Sequence, residues 1–155
     1  MRSKPGIPLG LLVIVFLVCR LRSVQDLFQR LTPTHIGPGI GVTSVTLVGA
    51  GVGLAIWARA YLGKNWGLPM TLQLQPELVT TGPYKFVRHP IYTGWILAMT
   101  GSALASGVLW LFVQLVFCGY FVFSAFTEDK ILTKAFPDQY PEYKQRSKML
   151  IPFIF

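Results

Sequence analysis

Charge is scarce in this chain. Asp, Glu, Lys and Arg together make 13% of its 155 residues, and only six of them are acids. A soluble globular surface needs about a quarter of the residues charged, so an ordinary water-soluble globule is excluded, and an apolar content of 52% excludes disorder as well. Cysteine and histidine are scarcer still, with two of each. Cys19 and Cys118 stand inside apolar stretches, which suits small core residues and neither a disulfide nor a zinc site. His35 and His89 are too few and too isolated for a histidine-based metal centre, so no metal is expected. The charge that is present is mostly basic, fourteen Lys and Arg against six acids, for a net +8. In a soluble protein this would suggest nucleic acid; in so apolar a chain the basic residues are first read against a membrane, and no nucleic-acid partner is expected.

Long uncharged runs take the place of charge. Leu11 to Val18 lies in a segment free of charge between Lys4 and Arg20, short for a span of about 17 to 25 residues but extendable by basic side chains that reach the interface. A cleaved signal peptide would need small residues where Arg20 and Arg22 stand, so a retained helix is favoured. A second helix is expected from about Ile40 to the Trp57–Tyr61 region. From Pro90 to Thr127 no charge occurs, too long for one helix at about 1.5 Å per residue across a core about 30 Å thick. Two helices therefore share it, with a tight hairpin at Ala105, Ser106 and Gly107, the weakest helix formers there. Glu128 to Phe155 carries nine charged residues interspersed with Tyr140, Tyr143 and Phe153, and reads as a cap. The expected fold is all-α: a membrane bundle of about four spanning helices with a cytosolic C-terminal cap, forming one domain over 1–155, with N-terminal helices in 1–77 and a core in 78–155. That topology puts eleven basic residues on the side of the termini against Arg20, Arg22 and Arg30 opposite, which places the termini in the cytoplasm.

Gly49, Gly51 and Gly53 imitate a dinucleotide fingerprint, but Leu54 breaks it and no βαβ pattern surrounds it. Gly49 and Gly53, at i and i+4, are expected instead to let a neighbouring helix approach closely. The segment from Leu78 to Gly94 is different, since it packs turn, aromatic and basic residues immediately before a membrane helix. Gly82-Pro83 marks a turn, and Pro90 suits the first turn of a helix. Arg88 and His89 would then stand at a helix N-terminus, where backbone donors favour an anion; an interfacial anchor is the plainer alternative. Glu128 and Asp129 fall at the expected cytoplasmic end of the last span, where acids oppose the helix dipole and call for a cation. Lys130, Lys134 or Arg88 could supply it, or the ammonium group of a zwitterionic ligand whose carboxylate meets Arg88 or His89.

These residues resemble the isoprenylcysteine carboxyl methyltransferase family of membrane enzymes. Leu78-Val79-Thr80-Thr81-Gly82-Pro83-Tyr84 and Arg88-His89-Pro90-Ile91-Tyr92-Thr93-Gly94 are similar to its LVxxGxY and RHPxYxG blocks. Glu128-Asp129-Lys130-Ile131-Leu132 with Phe136 and Tyr140 resembles EExxL and FGxxY, and Glu142 to Arg146 followed by Ile151-Pro152-Phe153-Ile154 resembles the EYKxR and LPFI ending. The resemblance implies S-adenosyl-L-methionine as cofactor, held by Pro76, Glu77, Leu78, Val79, Tyr84, Arg88, His89, Pro90, Ile91, Tyr92 and Glu128. It puts Ser124 on the substrate side, where relatives carry an arginine, and lets Arg146 close the cap. Asp129 replaces a Glu of the pattern and Pro137 a Gly.

The reading that follows is methyl transfer to a lipophilic acceptor entering from the bilayer, with an isoprenylcysteine-type carboxylate first. A phospholipid amine or small thiol is the alternative acceptor, and a sterol-type membrane reductase or a non-catalytic bundle the alternative class. Methyl transfer is an in-line displacement, so positioning supplies most of the catalysis. A carboxylate acceptor needs no base, and for an amine or thiol His89 and Glu128 are the candidate bases. No residue is assigned a certain catalytic role.

Overall fold

A computed structural model describes residues 37–65, 77–152 and 154, together with Asp26, Leu27 and Arg30. The first apolar segment, Cys19, His35 and Pro76 lie outside the described residues. Among the described residues the helices α1 (Pro38–Leu62), α2 (Pro90–Ser106), α3 (Val108–Ala135) and α4 (Tyr140–Arg146) carry the architecture, with a 3-10 turn at Gly82–Lys85. No strand occurs among the described residues; one isolated parallel bridge joins Val87 to Lys148.

Prolines and glycines punctuate these helices. Pro38 and Pro90 sit in the first turns of α1 and α2, where a missing N–H costs nothing and the fixed φ suits the helix. Arg59 lies in the last turn of α1 and sends Nη1 to the Gly63 carbonyl at 3.0 Å, a cation on the negative helix end. The hairpin between α2 and α3 turns on Gly107 alone, whose φ of 93° is a conformation that a side chain would strain.

α1 packs on α2, and α2 on α3. The first contact is made by backbones. A Cβ on Gly51 would stand 2.5 Å from Ala98 N and Gly94 O, one on Gly94 2.6 Å from Gly51 O, and one on Gly101 2.6 Å from Ser44 O. Gly51, and not the expected pair Gly49 and Gly53, makes the close contact with α2. Nothing among the described residues comes within 4 Å of a Cβ placed on either. Residues two apart on a helix are about 200° apart around its axis, so the glycine between them faces α2 and they face away.

Outward, the helices are apolar. Val45 is 74% exposed, Leu115 70% and Phe112 66%, a surface suited to lipid and unsuited to water. Among the described residues two helices, α1 and the Leu109–Ala135 body of α3, are long and apolar enough to cross a membrane. At about 1.5 Å per residue the 28-residue α3 runs about 42 Å, longer than a hydrocarbon core of about 30 Å. Its charged end therefore projects beyond the core. Here the sequence expectation is also corrected, because the helix continues two turns past Glu128 and Asp129 to Ala135. A terminal dipole acts only within the last turn, so the two acids answer to their burial and to their neighbours across the hairpin.

Candidate functional site

The C-terminal part of α3 meets the N-terminus of α2, and a cluster of polar side chains forms there. His89 is the residue before α2, and Tyr92 is one turn in. Glu128 and Asp129 approach them from α3, and the C-terminal segment closes from the side. Arg88 N–H donates to Lys148 O at 2.8 Å, His89 N–H to Met149 O at 3.1 Å, and Lys148 N–H to Phe86 O at 3.2 Å. The Thr93 hydroxyl donates to Leu150 O at 2.6 Å. The tail after α4 is thus paired along residues 86–89. Below it Tyr143 donates to Tyr84 O at 2.6 Å, and the Tyr61 ring of α1 covers Gly82, whose φ of 60° and lack of side chain allow both the turn and the contact.

The two adjacent acids have different surroundings. Asp129 is 3% exposed and is enclosed by donors. Arg88 reaches it through Nε at 3.2 Å and Nη2 at 3.1 Å, His89 through Nε2 at 2.9 Å, and Tyr140 through its hydroxyl. Lys144 Nζ stands at 3.7 Å. Arg88 spends Nη1 on the Ser147 carbonyl at 2.5 Å, so its guanidinium ties α3, the tail and the α2 entrance together. Such a buried ion pair survives only because each charge is matched and hydrogen-bonded.

Glu128 keeps 23% of its side chain open. Tyr92 donates its hydroxyl to Oε1 at 2.5 Å, and His89 Nδ1 faces Oε2 at 3.3 Å. His89 is therefore a bridge with a carboxylate at each ring nitrogen. A neutral imidazole has one N–H and could donate to only one of them; the doubly donating imidazolium satisfies both. Burial works against that charge, but the hydrogen bonds to Asp129 and Glu128 and their charges outweigh it and raise the His89 pKa above its ordinary value. Burial, then the Tyr143 and Glu128 charges, hold the Tyr84 phenol well above the usual range. Burial pushes Tyr143 up to about 12. Both phenols stay protonated as donors at neutral pH. The His89 ring stacks on Tyr92 at 5.7 Å, and Tyr92 on Phe121 at 5.2 Å, so aromatic packing leads from the polar cluster along α3.

Of the residues singled out in the sequence, Arg88, His89, Tyr92 and Glu128 come together in one cluster, with Tyr84 and Pro90 buried beside it. Leu78, Val79 and Ile91 are half-buried, and Glu77 is exposed, its N–H bound to Asn65 Oδ1 at 2.9 Å. Ser124 is fully buried one turn before Glu128, and its hydroxyl has no hydrogen-bond partner among the described residues. Arg146 lies on the outer face of α4, paired with Glu142 at 3.2 Å. Among the described residues no group of His, Cys, Asp and Glu could hold a metal. Sequence reasoning missed Tyr140, Tyr143 and Ser147 as parts of the cluster. Their signal was the spacing of two tyrosines three residues apart on α4, which puts both on one helix face.

Among the described residues, an all-helical architecture with two helices long and apolar enough to cross a membrane, and a polar cluster at one end of the hairpin, suits a membrane protein. Residues 40–139 match the family described as phospholipid methyltransferase, and the chain belongs to that family. It is similar to methanethiol S-methyltransferase 1 of Bradyrhizobium diazoefficiens, 35% identical over 126 residues, covering 75% of this chain and 44% of the relative. It is also similar to the cobalt-zinc-cadmium resistance protein CzcN of Cupriavidus metallidurans, 32% identical over 75% of this chain and 52% of the relative. A third relative is the protein-S-isoprenylcysteine O-methyltransferase of Schizosaccharomyces pombe, 35% identical over 79 residues, or 50% of this chain and 34% of the relative. The chain spans about half or less of the length of these curated relatives. The isoprenylcysteine methyltransferase resemblance read from residues 78–154 thus has relatives of that name behind it.

Proposed function

We propose that this chain transfers a methyl group from S-adenosyl-L-methionine to a lipophilic acceptor at the membrane interface, with residues 78–155 as the donor-binding core and the cluster facing the cytoplasm. The observation that carries this reading is the division of labour between neighbours: Asp129 is sealed by Arg88, His89 and Tyr140, while Glu128, oriented by Tyr92 and His89, keeps an open edge. An open, oriented carboxylate beside buried aromatic rings fits the ammonium group and flat base of this donor. Glu128 would hold the ammonium group, and Tyr84, His89, Pro90, Ile91 and Tyr92 would wall the site, with Pro76, Glu77, Leu78 and Val79 from the preceding segment. Bound there, the donor supplies a methyl carbon made electrophilic by its sulfonium.

The residues of the chain chiefly hold and exclude. In the ligand-free site His89 has both nitrogens committed to carboxylates, and Glu128 is engaged by two donors, so positioning is favoured over general-base catalysis. An acceptor that arrives already nucleophilic, such as an isoprenylcysteine-type carboxylate, suits such a site. The name of the methanethiol S-methyltransferase relative keeps a small thiol as the second acceptor, and Ser124, whose buried hydroxyl has no partner among the described residues, would lie on the substrate side. Arg146, on the outside of α4, would act on closure of the cap at most.

Calorimetric titration of the detergent-purified protein with S-adenosyl-L-methionine and its demethylated product tests the donor site. Wild type is expected to bind in the micromolar range and Glu128→Gln at least about tenfold more weakly, since a hydrogen bond to a charged group contributes about 1.5–3 kcal/mol. Methyl transfer assays with prenylcysteines, aminolipids and thiols then decide the acceptor.

A further inference from the structure

His89 is held between two carboxylates of unequal access, and a cation bound at the open one must contend with the imidazolium already there. Among the described residues, His89 is faced by groups from several elements. α3 presents Glu128 and Asp129, α2 presents the stacked Tyr92, and Arg88 precedes it in the chain. From α4, Tyr140 and Lys144 reach the same Asp129, and the buried Tyr84 lies within electrostatic range of Glu128. Asp129 Oδ1 is shared: it accepts from both His89 Nε2 and the Tyr140 hydroxyl. Asp129 itself has no open edge. It can act on a ligand only through His89.

We propose that Asp129 is a positioning residue that keeps His89 doubly hydrogen-bonded and charged while the site is empty, and that a cationic ligand group docking on Glu128 displaces the His89 proton to solvent. The physical ground is charge balance. Arg88 and His89, with Lys144 at the edge, already match Asp129 and Glu128 in a part-buried site, where an added cation facing a neighbouring imidazolium is repelled far more than in water. Release of the imidazolium proton from Nδ1 restores the balance, because Glu128 then pairs with the ligand cation while Nε2–H continues to donate to Asp129. Donor affinity therefore rises with pH, by about tenfold per unit until His89 is half discharged, and is flat above that point; this slope is the linkage expected for one proton. The ligand half of the proposal rests on the reading of Glu128 as the ammonium site; the Asp129 half does not.

The test uses the full-length protein in detergent with labelled histidine and His35→Gln, so that one imidazole reports. Without ligand, Asp129→Asn is expected to move the His89 titration midpoint down, because it removes a charge. Tyr140→Phe is expected to move it up, because it removes the donor competing for Asp129 Oδ1. Damage to the fold would not produce opposite shifts. Calorimetry with S-adenosyl-L-methionine below the wild-type midpoint, in buffers of different ionisation enthalpy, is expected to show proton release approaching one in wild type and none in His89→Gln. Unmoved midpoints, or midpoints moving the same way in both variants, overturn the role of Asp129. Binding without proton release, with the His89 signal unchanged, overturns the displacement. Absence of donor binding by wild type at any pH overturns the reading of Glu128 and the displacement together, while the ligand-free midpoints still decide the role of Asp129.

Discussion

The seam between α1 and α2 and the cluster between α2 and α3 hold the same helix by opposite means. Along the seam nothing protrudes: Gly51, Gly94 and Gly101 let backbones touch, and any added Cβ would stand about 2.5 Å from the opposite chain. At the cluster everything protrudes, since Arg88, His89, Tyr92, Glu128, Asp129 and Tyr140 meet through the ends of long side chains. Within lipid a helix pair gains little from excluding water and must rely on close van der Waals contact. At the interface water competes, and only mutually satisfied charges can be buried. α2 therefore has one half packed backbone to backbone against α1 and one end held by charged side chains.

That contrast can be broken from either side. The largest effect is expected from Arg88→Met, which leaves the Asp129 carboxylate buried without its main partner; loss of one member of a buried pair costs about 3–5 kcal/mol, read as a lowered thermal unfolding temperature in detergent. Gly51→Val should cost about 1–3 kcal/mol by overpacking, while Gly49→Val, two residues away and facing outward, should leave unfolding unchanged. Equal effects of the two valines would contradict the placement of the seam.

A pH series sharpens the same comparison. Because the folded His89 is raised above its unfolded value, its contribution to stability is fully present below the unfolded pKa of about 6.5 and is lost as pH rises through the folded one. Unfolding temperatures should fall over that rise in wild type and not in His89→Gln. The smallest effect belongs to Arg146→Ala, whose pairing with Glu142 is exposed on both sides and contributes little; its unfolding curve should superimpose on that of wild type.

Local chemistry was legible in the sequence and lateral choice was not. The proline that opens α2 and the glycine that turns the hairpin act on their own backbone, so Pro90 and Gly107 could be read directly. Which glycine of the run at 49–53 touches α2 depends on the rotation of α1, which Gly49 and Gly53 satisfy as well as Gly51 on paper. The pairing of Glu128 and Asp129 is a case of the same kind. Consecutive residues lie about 100° apart on a helix, and only the position of Arg88 and α4 decides which acid is sealed and which left open. The pattern of charges placed the end of α3 too early, because Glu128 to Lys134 reads as a surface while remaining helical to Ala135. The pairing of residues 86–89 with 148–149 had no signal, since a single parallel bridge leaves no alternation in the sequence.

Donor binding to wild type and Glu128→Gln, each shown to be folded by its unfolding curve, tests the central claim most directly. Micromolar affinity for S-adenosyl-L-methionine in wild type, weakened at least about tenfold in the variant with unfolding unchanged, is the predicted result. Equal affinity in both proteins, or no binding by a well-folded wild type, would contradict it and leave the charged cluster as a device that only holds the hairpin to its cap.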